Sequence, residues 1–263
     1  MLGIVWNTLL FRPLLNLLVF FYQLFGQSLG WAVIALTLVT RFLVIPLTLP
    51  ALKTAEKQKK IAPKLKELQA KYKNDKKKLS EEQLKLFKEE GINPGSGCLL
   101  QIFMIIILIA LYQAFNHLLV SKADSLQAIN QLLYLPAFHL RSGVNPRFLF
   151  WDLTQPDRLL VLPILAAVFQ FLHSKMMLPV VERGEKLAES TVDRKDDVAY
   201  NMQEQFLYLT PMMTIFIGLK LPAGLVLYWL VTTVFSLGQQ YLLSGWGGLA
   251  PWINRIYGKN RGH

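Results

Sequence analysis

Cysteine is nearly absent from this sequence, with Cys98 as the single one among 263 residues. One cysteine excludes an internal disulfide and gives no cysteine pair for a metal, so the fold must depend on packing. The sequence also lacks H-E-x-x-H, G-x-x-x-x-G-K-[ST] and G-x-S-x-G, the motifs of zinc peptidases, nucleotide-binding loops and serine hydrolases. We therefore expect no enzymatic activity, no cofactor and no bound metal.

Acidic residues are scarce: 17 Asp and Glu stand against 28 Lys and Arg, for a net charge of +11. Hydrophobic residues make up 53% of the chain, and apolar runs recur along it. A helix needs about 20 apolar residues to cross a bilayer, and these runs lack the period-two alternation of barrel strands. The composition therefore predicts an all-α polytopic membrane protein.

Five apolar runs are predicted to form a transmembrane core. They are residues 28–52, 98–120, 157–179, 205–221 and 225–243. Residues 1–27 are apolar too, but Arg12 and Pro13 interrupt them and leave a run of about 12 residues, too short to span. We predict that residues 1–27 form an amphipathic interfacial helix on the outer side; the alternative is an uncleaved signal anchor that makes a sixth span.

Positive charge predicts the orientation of the spans, because basic loops stay in the cytoplasm. Three segments hold 20 of the 28 Lys and Arg: residues 53–97, the loop 180–204 and the tail 244–263. Residues 121–156 hold few and are predicted to be extracytoplasmic, where Phe148, Phe150 and Trp151 resemble interfacial aromatics. The amino end is then outside and the carboxyl end is cytoplasmic.

Residues 53–97 are predicted to form a cytoplasmic helical hairpin. Apolar residues recur there at helical spacing from Ile61 to Tyr72, and Ser80 with Gln83 resembles a capping box that opens a second helix. A solvated topology signal is one interpretation of this lysine-rich segment, and a docking surface for anionic lipid or a partner is the other. The lysines that we assign to the docking surface are Lys59, Lys60, Lys64, Lys71, Lys76, Lys77 and Lys78.

Arg41 lies in the middle of the first predicted span, and no acidic residue lies at mid-depth in any of the spans. Intramembrane charges are costly and usually functional, so Arg41 is the main candidate site residue. Polar side chains concentrate in the cytoplasmic halves of the spans, which predicts a wet groove closed toward the outside. The members that we assign to it from the residues alone are Thr37, Thr40, Arg41, Gln101, Gln170, His173, Thr210, Ser236 and Gln240.

Ordinary helix packing is the alternative for many of these polar residues. Thr, Ser and Gln hydrogen bonds between membrane helices contribute only about 0.6 kcal/mol each. His117 and His173 fit hydrogen-bonded helix residues better than metal ligands, because no second ligand stands at the required spacing.

Several short motifs, in this order, resemble those of the YidC/Oxa family of membrane protein insertases across nearly the whole chain. The matching stretches begin at Thr40-Arg41-Phe42, Asn93-Pro94-Gly95, Asp152-Leu153-Thr154, Leu162-Pro163 and Leu221-Pro222-Ala223-Gly224, and end with Gln239-Gln240. The family's glutamine-methionine-proline turn is absent, because Ile102 follows Gln101. The resemblance is to a short bacterial form without the large periplasmic domain of Gram-negative relatives.

The resemblance implies five core helices around a groove open to the cytoplasm, in the bacterial plasma membrane. It places the family's groove arginine on Arg41, its neighbouring polar position on Thr37, and a tyrosine-rich client contact on Tyr228 and Trp229. It also implies nascent membrane proteins as clients, with the ribosome, a targeting receptor and the Sec translocon as partners and no small-molecule substrate. A small-solute anion transporter that binds its anion at Arg41 is the alternative function, and a scaffold for other membrane helices is a third.

Overall fold

The computed structural model describes residues 2–72, 75–92, 95–119, 125–178 and 198–256. These residues are mostly helical, with one two-stranded sheet in the described part of the chain. The all-α prediction is therefore confirmed. The chain divides into a first unit, Met1–Ile45, Gln101–Ala167 and Met213–Phe235, and a second unit, Pro46–Leu100, Val168–Met212 and Ser236–His263.

The helices and strands follow in chain order. The first half contains α1 (Leu2–Trp6), a π-helical turn (Asn7–Phe11), α2 (Arg12–Leu24), α3 (Leu29–Lys71), α4 (Lys76–Glu89) and α5 (Gly95–Leu119). The second half contains α6 (Ser125–Leu132), a 3-10 turn (Pro136–Phe138), β1 (Arg147–Phe148), β2 (Trp151–Asp152), α7 (Val161–Met177), α8 (Val198–Gly218), α9 (Ala223–Ser244), a 3-10 turn (Gly247–Leu249) and α10 (Ala250–Ile256).

The amino-terminal helix runs through Arg12 and Pro13 without the break expected there. Pro13 has no N–H to donate and its ring crowds the carbonyl of Leu9, but Leu9 lies in the π-helical turn, whose hydrogen bonds skip one residue further. The helical stretch Gly3–Leu24 is consequently long and apolar enough to cross a membrane. Whether it spans or lies along the surface stays a prediction.

Helix α3 is a single helix of 43 residues that contains Pro46, Pro50 and Pro63. Its apolar portion, Leu29–Gln58, is the second stretch that is long and apolar enough to cross a membrane. Three shorter apolar stretches, Ile102–Leu118, Val161–Met177 and Leu207–Gly218, lie in α5, α7 and α8. The five predicted spans overlap α3, α5, α7, α8 and α9, and their bounds and membrane placement stay predictions.

One predicted helix start was wrong. Helix α4 begins before Ser80, at Lys76, because the Asp75 carboxylate accepts a hydrogen bond from the Lys78 amide at 3.0 Å and caps the helix. Helix α7 covers Val161–Met177 of the predicted span 157–179, and the buried Asp157 carboxylate accepts the Leu162 amide of its first turn at 2.8 Å. The predicted turn at residues 73–74 lies outside the described residues.

Residues 125–160, which we call the 125–160 segment, are hydrogen-bonded to helix α2 in the first unit. The Asn16 amide donates to the Leu132 carbonyl at 3.1 Å, while its oxygen accepts the Tyr134 amide at 2.7 Å. Gln23 donates to the Phe138 carbonyl at 2.9 Å. Because Asn16 is buried, these bonds also remove the cost of burying its amide.

Phe148 is a core residue and not the interfacial aromatic expected from its sequence context. Its side chain is 7% exposed and its ring occupies the space where a side chain on Gly30 would lie. Phe150, by contrast, is 63% exposed. The hydrophobic core of the first unit therefore joins the start of α3 to the 125–160 segment.

We predict that Gly30→Ala destabilises the first unit. The added methyl overlaps the Phe148 ring, and overpacking of this kind costs about 1–3 kcal/mol. Thermal unfolding in detergent measures the change, with Gly143→Ala as the matched control because nothing lies within 4 Å of a side chain added there. Equal melting of the two variants would contradict the packing, and Phe148→Leu should restore stability to Gly30→Ala.

Candidate functional site

Arg41 lies in α3 with its Nε atom buried and, among the residues that the structure describes, no oxygen accepts a hydrogen bond from that atom. The two ion pairs of the described chain, Lys60–Glu56 and Lys64–Glu90, both lie in the second unit. The guanidinium therefore has no carboxylate partner among the described residues, and Arg41 as a whole is half-buried. A buried charged donor left in this state favours any acceptor that reaches it.

Tyr228 on α9 faces Arg41 within the first unit. Its side chain is 6% exposed, interacts electrostatically with Arg41, and contacts Thr232 one turn further along α9. The next layer is an edge-to-face contact between Phe42 and Phe235, whose ring centroids are 5.2 Å apart. Helices α3 and α9 therefore place one cation, one phenol and a pair of aromatic rings close together.

Thr37 and Thr40 satisfy their hydroxyls on their own helix. Thr37 donates to the Val33 carbonyl at 2.6 Å, and Thr40 donates to the Leu36 carbonyl at 2.9 Å. Thr37 is fully buried, whereas Thr40 is half-buried. Trp229 is half-buried as well. Thr37 is thus a buried residue one helical turn before Arg41, whereas the side chains of Thr40 and Trp229 are partly accessible.

The remaining predicted groove residues either belong to the second unit or have side chains outside the described part. The side chain of Gln101 lies outside the described part. Those of the second unit are Gln170, His173, Thr210 and Ser236, which are half-buried, and Gln240, which is buried. Their role in a groove stays a prediction.

The structure adds one polar contact that the sequence does not indicate. The Gln239 amide donates to the Thr48 hydroxyl at 3.0 Å within the second unit, and Thr48 is buried. No cluster of three His, Cys, Asp or Glu side chains occurs among the described residues. His117 lies against the Phe11 ring, with ring centroids 5.1 Å apart.

The hairpin of α3 and α4 contains the predicted docking lysines. Lys60, Lys64, Lys71, Lys77 and Lys78 are exposed, and the side chains of Lys59 and Lys76 lie outside the described set. Lys64 binds Glu90 at 2.7 Å, and this hydrogen bond together with the charge of Glu90 raises the pKa of Lys64. Lys71 and Lys78 both lie over the Tyr72 ring, at 5.4 and 5.5 Å from its centroid.

A cleft of about 410 Å³ runs between the two hairpin helices and balances much of their charge. Its walls are Lys64, Glu67, Leu68, Lys71, Glu82, Lys85, Leu86 and Glu89. Three lysines and three glutamates face each other there, so the excess positive charge is carried elsewhere on the hairpin. Lys77 and Lys78, at the start of α4, are the exposed lysines outside this cleft near the hairpin tip.

Sequence reasoning missed a contact at the end of α7, in the second unit. Trp252 lies against the Phe171 ring, with centroids 6.2 Å apart, and the Lys175 ammonium lies 5.4 Å from the Trp252 centroid. A side chain on Gly248 would meet the Lys175 carbonyl. The Trp-Gly-Gly sequence before α10 is the one local signal of this close approach.

Comparisons with known proteins agree on one family. A family model described as the 60Kd inner membrane protein matches residues 20–246. The chain is 27% identical over 246 residues to membrane protein insertase YidC 2 of Bacillus anthracis, covering 92% of this chain and 82% of that protein. It is 30% identical over 244 residues to membrane protein insertase YidC 1 of Listeria monocytogenes, covering 91% and 72%.

Longer relatives and one solved structure extend the likeness. Membrane protein insertase YidC of Wolinella succinogenes is 33% identical over 234 residues, which cover 89% of this chain and 36% of that protein. The crystal structure of an active YidC insertase with its first transmembrane domain resolved matches with a TM-score of 0.59 and 23% identity. The match covers 87% of this chain but 45% of that one, so this chain spans less than half its length. This likeness shows the fold.

The Lys64–Glu90 pair should stabilise the hairpin up to alkaline pH. A raised pKa means that the folded hairpin holds the Lys64 proton more tightly than the unfolded chain does, so the contribution is lost as the pH rises through that raised pKa. At neutral pH we predict faster amide hydrogen exchange in α4 for Lys64→Glu and for Glu90→Lys. The variant that carries both substitutions should regain the slower exchange of the wild type. If the double variant exchanged as fast as the single ones, the pair would not hold the hairpin together.

Proposed function

Because the chain belongs to the 60Kd inner membrane protein family, whose relatives above are named membrane protein insertases, we propose that it inserts membrane proteins into the bacterial plasma membrane. The clients are nascent membrane proteins, and no small-molecule substrate is required. The proposal excludes an enzymatic step and a cofactor. The free energy for insertion comes from partitioning of the client's apolar helix into lipid and from the membrane potential.

The observation that carries the proposal is the unpartnered Nε of Arg41 beside Tyr228. Leaving a buried donor unsatisfied costs about 1–3 kcal/mol, and more for a charged group. Water or a polar segment of a client can supply the missing acceptor. A structural arginine would instead be expected to have a fixed carboxylate or carbonyl partner.

The proposed topology has five spans, with the amino end outside, the 125–160 segment extracytoplasmic, and the hairpin and carboxyl end in the cytoplasm. Exposed large apolar side chains on the long helices support a lipid environment, because soluble proteins rarely expose so many. Examples whose side chains are about 45–70% exposed are Phe42, Leu43, Ile102, Ile105, Ile164 and Phe216. The predicted cytoplasm-open groove would contain Arg41 in its wall.

In the proposed mechanism Arg41 lowers the barrier for a client's polar outer segment. Coulomb attraction is stronger near low-dielectric walls than in water, so the guanidinium attracts acidic residues of the incoming chain. An outside-positive potential then favours their outward transfer by about 2.3 kcal/mol per charge per 100 mV. The half-buried Trp229 provides aromatic surface for the client's apolar helix, and the buried Tyr228 keeps its phenol beside Arg41.

The hairpin is proposed to dock the ribosome, a targeting receptor or anionic lipid, with the Sec translocon as a further partner of the core. Of the lysines assigned to docking, Lys60, Lys77 and Lys78 are exposed and lie outside the mixed-charge cleft. Lys60 pairs with Glu56, so Lys77 and Lys78 are the charges that we propose for this role. Contacts of this kind weaken at high salt because exposed charges are screened beyond about 10 Å at 0.1 M salt.

We predict that Arg41→Ala slows insertion of clients with acidic translocated segments by about tenfold or more. The estimate follows from about 1.5–3 kcal/mol for a hydrogen bond to a charged group. Arg41→Lys should keep much of the rate and Arg41→Glu should lose more than Arg41→Ala. Insertion into vesicles containing the purified protein, scored by protease protection, measures the rate, with Arg141→Ala as the exposed-arginine control.

A small-solute anion transporter is the rival that the same guanidinium permits. Arg41→Ala would then abolish anion flux into vesicles while client insertion stayed at the wild-type rate, and that pair of results would overturn the proposal. If the protein were a passive scaffold, Arg41→Ala would change neither anion flux nor client insertion. An insertase loses insertion of acidic clients while clients with neutral outer segments continue to insert.

We predict that Lys77 and Lys78 together carry the docking charge. Changing both to Gln should weaken binding to ribosomes or to vesicles rich in phosphatidylglycerol, and the remaining binding should depend less on salt. Changing Lys71 and Lys85 to Gln is the matched control, because both face glutamates in the cleft and their loss removes the same charge. Equal weakening by both double variants would show that net charge, and no particular surface, governs docking.

A further inference from the structure

Two leucines in the 125–160 segment adopt a backbone conformation that leucine rarely adopts. Leu149 has φ 55° and Leu160 has φ 59°, both in the left-handed region that favours Gly and Asn. Their side chains are also exposed, by 76% and 36%. In water, an exposed leucine side chain provides no packing energy that would offset the strain of its backbone. A favourable environment for these two side chains is therefore needed to explain their conformation.

Leu149 belongs to the tip of the short β1–β2 hairpin. The strands pair Phe148 with Trp151, and the tip consists of Leu149 and Phe150. Two-residue turns of this kind favour Asn-Gly or Gly-containing pairs, yet here both positions are large and apolar. Phe148 fixes the base of the β1–β2 hairpin by packing over Gly30, and the centroids of the Phe150 and Trp151 rings are 3.9 Å apart. The tip is therefore an apolar protrusion on a fixed base.

Leu160 belongs to a second turn, which leads into α7. The buried Asp157 carboxylate accepts the amides of Leu159 at 3.0 Å and of Leu162 at 2.8 Å, which fixes the turn. Leu159 is 66% exposed, and the exposed apolar surface continues along α7 with Ile164. The turn thus extends the apolar face of α7 beyond the helix end.

We propose that the tip Leu149–Phe150 and the turn Leu159–Leu160 are embedded in the boundary between headgroups and acyl chains of the outer leaflet. The proposal rests on the proposed topology, in which the 125–160 segment is extracytoplasmic. Continuity with the exposed apolar face of α7 favours lipid as the occupant. Exposed Arg147 and Arg158, next to the two turns, complement the lipid phosphates. The two contacts fix the depth of α7 in the bilayer.

Fluorescence quenching in vesicles of phosphatidylethanolamine and phosphatidylglycerol tests the proposal on the full chain. A single cysteine at position 149, in a Cys98→Ser background, carries an environment-sensitive dye. We expect quenching by brominated lipids at least twofold greater than for the same dye at Ser142, an exposed residue of the same segment, and little quenching by aqueous iodide. Iodide quenching equal to that at Ser142 would overturn the proposal.

A dye at Ile105, on the exposed face of α5, distinguishes a failure of the outer-leaflet contact from a failure of the proposed topology. Lipid quenching at Ile105 without lipid quenching at 149 would leave the proposed topology intact and overturn the outer-leaflet contact. Lack of lipid quenching at both sites would contradict the topology itself. Protection of position 149 from iodide in cell membranes, but not in vesicles of lipid alone, would assign the tip to a protein partner instead.

Leu149→Asn distinguishes a lipid contact from internal packing. Asparagine adopts the left-handed conformation more readily than leucine, so the melting temperature in detergent should stay the same or rise. Lipid quenching of a dye at Leu159 should fall in the same variant, because one of the two proposed apolar anchors is lost. A lowered melting temperature would show that the Leu149 side chain packs within the protein and would overturn the proposal.

Discussion

A charged side chain among apolar helices raises the free energy of the folded protein unless hydrogen-bond or ion-pair partners surround it, and Arg41 has few such partners. Its Nε atom is buried without an acceptor among the described residues, while the phenol of Tyr228 provides only an uncharged neighbour. Because the cost of this arrangement is paid by the folded protein at all times, the position is better suited to a transient ligand than to holding the fold together. The proposed insertase mechanism depends on this constraint.

The rest of the first unit keeps α3 and α9 in place around that charge. Asn16 and Gln23 bind the 125–160 segment to α2, and Gly30 lets the Phe148 ring lie directly on the start of α3. At the start of α9, the Gly224 amide donates to the Leu153 carbonyl at 3.1 Å. Both helices that contribute to the Arg41 site are thus fixed to the same segment, so the Arg41 Nε atom can remain without an acceptor among the described residues while the helices stay in place.

Hydropathy and charge were sufficient to predict the helical class and the positions of the long helices, because these signals are local or compositional. They also point to Arg41, whose role stays a prediction. Helix ends were harder. Asp75 and Ser80 are both good capping residues, and only the structure shows that Asp75 accepts the capping hydrogen bond. Phe148 was misassigned because its partner, Gly30, is remote in sequence, and a packing contact of that kind leaves no local pattern. The cleft that pairs Lys64 and Lys71 with glutamates depends on the register of two helices, which net charge does not indicate.

Water access to the Arg41 face of α3 and α9 tests the central claim most directly. Single cysteines along these helices, in a Cys98→Ser background, can be treated with a membrane-impermeant maleimide from the cytoplasmic side. The account predicts that positions 40 and 229 react while positions on the lipid-facing side, such as 43, do not. If positions 40 and 229 were as unreactive as position 43, Arg41 would lie in a dry interface and could not receive a client chain by this route.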